Sequence, residues 1–81
     1  MTNPARHPYA RCEGVGTFGK RLKAERMRRG FQLAVFSAAT GIHMACITGF
    51  ENRGVIPSLK NAMILAQTLD CSIDYLCGLE D

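Results

Sequence analysis

The residues best equipped for chemistry in this 81-residue chain are four cysteines, two histidines and ten Lys/Arg set against seven Asp/Glu. Metal binding and thiol chemistry need clustered donors. Cys12, Cys46, Cys71 and Cys77 include no C-x2-C pair, and His7 and His43 have no partner at ligand spacing. No metal site is expected. The thiols read as reduced, small hydrophobes, with Cys12 and Cys46 the more exposed pair and a redox role for those two left open. Catalysis lacks its parts as well. There is no Ser/His/Asp set, no glycine-rich phosphate loop followed by lysine, and no pair of carboxylates on one face. Asp70 and Asp74 share one end of the chain, but Asp74 is explained as a first-turn residue favoured by the helix dipole. The expectation is no enzyme and no cofactor.

Charge remains. Residues 1–53 hold nine Lys/Arg (Arg6, Arg11, Lys20, Arg21, Lys23, Arg26, Arg28, Arg29, Arg53) against Glu13, Glu25 and Glu51, a formal +6. Residues 54–81 hold Lys60 against Asp70, Asp74, Glu80 and Asp81, a formal −3. A basic half suits a polyanion such as nucleic acid; the plainer alternative is ordinary surface charge.

These residues need a frame. At 47% hydrophobic and 21% charged, the chain can bury one small core. No apolar run approaches the ~20 residues that span a bilayer, and the start "MTNPARHPYARCEGVG" has no apolar signal region, so a cytoplasmic protein with no membrane partner is expected. Residues 1–16 are proline-rich and aperiodic and read as a flexible arm, with residues 17–81 as the domain. Arg6, His7 and Arg11 on that arm either lie along a nucleic-acid groove or belong to a tail with no role.

Thr17 reads as the cap of a first helix, Phe18 to Arg29, ended by Gly30. Phe18 and Leu22 face inward, and Met27 can join them from the side. Arg26 falls on their face and demands a buried partner, for which Glu51 is placed. A second helix, Leu33 to Thr40, turns Leu33, Phe36 and Ala39 inward, with small Ser37 at a helix crossing. Gly41 supplies a left-handed residue for a sharp turn, and Ile42 plugs the corner. The third helix, His43 to Asn52, buries Ile47 and Phe50. At 100° per residue this leaves Met44, Ala45, Thr48, Gly49 and Asn52 on the opposite side. A fourth helix, Leu59 to Leu69, is capped by Ser58 and buries Leu59, Ala62, Met63, Ala66 and Leu69. Ser72 caps a short fifth helix that buries Ile73, Leu76 and Tyr75. No segment alternates like a strand. The expected class is all-α, a compact five-helix bundle.

Two helices joined by a tight glycine turn, with Ser37 in the first, Gly41 in the turn, and Ile42, Ile47 and Phe50 pinning the second, make a helix-turn-helix. The stretch "RLKAERMRRGFQLAVFSAATGI…ITGFENRGVIPSLKNAMILAQTLDCSIDYLCG" resembles the phage-repressor/Cro-like (XRE-type) DNA-binding family, a lambda-repressor-like bundle, over Phe18 to Leu79. The matching features are "RxxRG", the Gly41-Ile42 corner, Ile47, Glu51, Pro57-Ser58, Leu65-Ala66 and "SIDYLCG".

The resemblance implies several things. The third helix lies in the major groove of double-stranded DNA, with base-reading positions at His43, Met44, Ala45, Thr48, Gly49 and Asn52. The start of the second helix meets phosphates, with Gln32 in reach, and Arg28, Arg29, Lys20 and Arg53 approach the backbone. Arg26 and Glu51 form a structural ion pair. A Cro-like repressor, nucleoid-associated and paired as a homodimer at least on DNA, is the expected protein. A two-fold pair would use Tyr75, Leu76 and Leu79 at the C-terminal end; Tyr75 and Leu79 can equally be ordinary core or edge residues. Met44, Ala45 and Gly49 depart from the family, whose members often place Gln, Arg, Ser or Asn there. Leu33 stands where many carry a phosphate-reaching Gln. The apolar positions can meet thymine methyls, or Gly49 can permit close backbone approach. The alternative is a helix turned to binding protein, as in an antirepressor or adaptor.

Overall fold

The computed structural model describes residues 13–80, with side chains from Thr17 onward. Within them the chain forms α1 (Glu13–Arg28), α2 (Leu33–Thr40), α3 (Met44–Asn52), α4 (Leu59–Thr68) and α5 (Ile73–Cys77), and no strand. The all-α expectation holds. Arg6, His7, Arg11 and Cys12 lie outside the described residues.

α1 begins earlier than the sequence suggests. It starts at Glu13, so Thr17 is inside the helix rather than its cap, and the helix crosses the expected boundary between arm and domain. Gly14 and Gly16 mislead, since each costs about 1 kcal/mol in a helix interior. Extending a helix that is already nucleated is far easier than starting one.

α1 packs against α5 and α3, α2 against α3 and α4, and α4 against α5. The core they enclose is Phe18, Leu22, Phe36, Ile42, Ile47, Phe50, Ala62, Leu65, Ala66, Leu69 and Leu76. Phe31 leans on Phe36 with ring centroids 5.3 Å apart. α1 approaches α3 backbone to backbone. A Cβ at Gly19 would collide with the Phe50 carbonyl oxygen and come within 3.1 Å of the Glu51 carbonyl oxygen.

The inward stripe of α4 is rotated from the expected one. It runs Ala62, Leu65, Ala66, Leu69, spaced i, i+3, i+4, i+7, while Leu59 and Met63 are exposed. Leu59 is the first helical residue and its side chain tilts toward the N-terminus, beyond the layer that would cover it. Met27 and Ala39 are exposed too, one position off the buried rows of α1 and α2. Leu76, expected at a dimer surface, is fully buried in the core, and Ile73 and Tyr75 are half-buried.

Arg21 is a staple. Its Nη1 donates to the Tyr75 and Glu80 carbonyls at 2.7 Å each, and its guanidinium stacks 4.5 Å over the Tyr75 ring. It fastens α1 to the C-terminal turn, where Ser72 Oγ donates to the Glu80 carboxylate. Its guanidinium is thus engaged within the fold.

Candidate nucleic-acid interface

The turn between α2 and α3 is built from short-range hydrogen bonds. Gly41 takes φ 74°, and its N–H donates to the Ser37 carbonyl at 2.8 Å. A β-carbon at this φ is strained, which is the reason for glycine. Ser37 Oγ donates to the Ile42 carbonyl at 2.6 Å. Buried Thr40 Oγ1 donates to the Phe36 carbonyl at 2.9 Å and accepts from the Ile42 N–H at 3.2 Å. Ile42 closes the corner from inside. The two helices meet at 111°, within the range of helix-turn-helix pairs.

His43 is not part of α3 but its cap: Nδ1 accepts from the Ala45 N–H at 3.1 Å. That bond needs the neutral tautomer protonated on Nε2, which leaves an N–H donor facing outward. Among the other expected base-reading residues, Met44, Ala45 and Asn52 are exposed and Thr48 is half-buried, all on one side of α3. Gly49 differs. It is buried, and the atoms over it belong to Arg53 and Val55. Cys46 is exposed on the same helix as a free thiol, whereas burial pushes the Cys71 thiol up and keeps it protonated.

Glu51, the one acidic residue of α3, is spent internally. Arg26 Nε donates to Oε2 at 2.7 Å and Nη2 to Oε1 at 3.1 Å, while Nη1 donates to the Phe31 carbonyl at 2.7 Å. The side chains are 9% and 1% exposed. One guanidinium thus joins α1, the entry to α2 and α3, and leaves the outer side of α3 without a carboxylate.

At the start of α2, Gln32 is the N-cap residue by backbone geometry, but its side chain makes no capping bond. His43, Ser58 and Ser72 do cap their helices. The first turn of α2 therefore points backbone N–H groups outward beside an exposed, uncommitted amide, and holds no acidic residue.

Arg28 and Arg29 share Glu25 as a partner on their own helix. Arg28 donates to Glu25 at 2.8 and 3.3 Å, and Arg29 Nε lies 3.6 Å from it. Both line a groove with Asp70, Cys71 and Tyr75 at the α4–α5 junction. The Arg28 bond holds the Glu25 carboxyl below its ordinary range. Sequence periodicity had no means of finding this triad, because i,i+3 and i,i+4 pairs look the same whether they stand in solvent or line a groove. Lys20 and Arg53 are exposed, and among the described residues neither forms a salt bridge.

No group of three or more metal-ligating side chains occurs among the described residues, and no single helix there is long and apolar enough to cross a membrane. No curated protein and no solved structure matches the chain. Residues 22–76 match the model of the helix-turn-helix family. That span runs from Leu22 through the 111° turn to Leu76 and covers more than half of the sequence. The chain therefore belongs to the XRE-type helix-turn-helix family, a family of DNA-binding transcription regulators and generally not of enzymes.

Proposed function

We propose that the chain is a sequence-specific regulator of transcription, a Cro-like repressor that lays α3 in the major groove of double-stranded DNA. The observation that carries this is the outer side of α3. It stands clear of the bundle and holds small or uncharged side chains, and its one carboxylate is neutralised inside by Arg26. A duplex presents one negative charge per ~1.7 Å of axis, so any exposed carboxylate there would oppose binding. His43 Nε2, Thr48 and Asn52 are the polar readers, and Met44 and Ala45 pack on thymine methyls. Gln32 with the first turn of α2 holds one phosphate, and Lys20 another.

Two copies on one site would place two α3 helices about one DNA turn apart. Leu76 contributes nothing to that pairing, being core. Leu79 remains exposed at the C-terminal end, as do Leu59 and Met63 on α4. A second reading rests on the same exposed apolar residues together with Val55 and Ile56: a protein-interaction module that kept the fold.

Fluorescence anisotropy with labelled duplexes over a salt series decides between them. The regulator loses affinity steeply as salt rises, and binds fragments selected from random DNA more tightly than the unselected pool. Thr48→Ala and Asn52→Ala each relax preference by ~1–3 kcal/mol at one position. Equal affinity for selected and random duplexes would end the sequence-specific claim, and no binding at low salt would favour the interaction module.

A further inference from the structure

Position 49 lies at one edge of the outer arc of α3 that holds Met44, Thr48, Asn52 and Ala45, 200° around the helix from buried Ile47 at roughly 100° per residue. It is a glycine, so the expected place for a reading side chain is bare. The space is nevertheless filled. A Cβ built there would lie 2.8 Å from Nη2 and 3.5 Å from Cζ of Arg53, and 3.4 Å from Cγ2 of Val55. Arg53 is the C-cap residue of α3. Its side chain runs back over the preceding turn, as long side chains on helices do, and sets its guanidinium where residue 49 has none. The backbone supports this path. The Gly49 carbonyl accepts from both the Arg53 N–H at 3.0 Å and the Val55 N–H at 3.1 Å, drawing the following turn against the helix end.

We propose that Arg53 is the principal base-reading residue of this chain, with guanine as its target, and that Gly49 exists to seat it. This rests on the reading of α3 as a major-groove helix and assigns its specificity. The other side chains on that face are short, apolar or neutral, so the guanidinium is its one strong donor group. Among the described residues no carboxylate engages it. A planar, charged fork of parallel N–H donors matches both the O6 and N7 acceptors of guanine at once, a match the neutral donors of His43, Thr48 and Asn52 do not offer. Ala45 lies one turn before Gly49 in the same helical row, so the base beside that guanine meets a methyl-sized surface suited to thymine. The proposal separates Arg53 from a phosphate contact. A phosphate needs only a cation in reach, whereas a base edge needs the fork held in one place.

The test uses the full chain and duplexes selected by it from random DNA, each G·C pair then exchanged in turn. The wild type is expected to lose roughly 10-fold or more in affinity at one G·C pair per half-site. Arg53→Lys, which keeps the charge, and Gly49→Ala, which displaces the fork, are expected to abolish that discrimination while binding random duplex as the wild type does. In the free protein, the Arg53 Nε–H resonance is expected to move in Gly49→Ala. If Arg53→Lys keeps the wild-type preference at every base pair, the residue contacts phosphate and the proposal falls. An unmoved Arg53 resonance in Gly49→Ala would also overturn it, because the seat would not exist. If the wild type binds no duplex at low salt, the regulator reading itself fails and takes this assignment with it.

Discussion

Replacing Arg26 by alanine tests how the recognition helix is held. The substitution deletes both hydrogen bonds to Glu51 and the one to the Phe31 carbonyl. It leaves a carboxylate that is 1% exposed with no counter-charge. Breaking a buried pair from one side costs ~3–5 kcal/mol, because the remaining charge keeps its desolvation penalty and loses its compensation. A domain of this size has on the order of 5–10 kcal/mol in total. The variant is therefore expected to unfold at least ~12 °C below the wild type, at about 4 °C or more per kcal/mol. Urea denaturation followed by circular dichroism gives the free energy directly. Replacing both partners, Arg26→Met with Glu51→Leu, removes the orphaned charge and is expected to cost clearly less than Arg26→Ala alone. A loss under about 0.5 kcal/mol in Arg26→Ala would mean a solvated pair and refute the reasoning. So would a double variant no more stable than the single one.

Three further outcomes follow from the helix ends and the charge pairs. Asp70 sits at φ 53° after α4, where its N–H and that of Cys71 close the helix end, so Asp70→Gly is expected to raise stability by about 0.5 kcal/mol in the same urea assay. Its negative charge also opposes the helix dipole, and Asp70→Asn should recover part of the gain. His43→Ala removes the cap of α3 and is expected to cost ~1 kcal/mol, with His43→Asn restoring most of it; equal stability of all three proteins would show that the Nδ1 bond contributes nothing. Because Glu25 is held below its ordinary value of 4.5 by Arg28, the stability it contributes is fully present above that value. That contribution disappears as pH falls through the lowered folded value, so Glu25→Gln should flatten the acid limb of a stability–pH profile and leave its neutral region almost unchanged in slope.

The spacing of Phe36, Gly41, Ile47 and Phe50 made the helix-turn-helix legible, because each position answers a constraint found within about one helical turn of it. Arg26 and Glu51 were legible for a related reason. A charge on an apolar face must be answered somewhere, and only one acid bordered the buried stripe. What escaped was decided by packing between distant segments. Leu65 and Met63 exchange roles according to how α4 is rotated on α2 and α5, which period alone does not determine. Arg21 carried the same basic signature as Lys20, and only the fold sets Tyr75 and Glu80 against it. The seat at Gly49 was missed because a missing side chain was read as open space. It depends on the path of the chain after α3, where Gly54 takes φ 70° and turns Val55 back toward the helix.

That the outer side of α3 meets DNA is tested most directly by an amide chemical-shift titration of the full chain with a selected duplex. The largest shifts are expected at Gln32, Leu33, Met44, Ala45, Thr48, Asn52 and Arg53, where α2 begins and along the outer side of α3. Shifts confined to Ile56, Leu59, Met63 and the groove beside Arg28, with α3 unmoved, would contradict it.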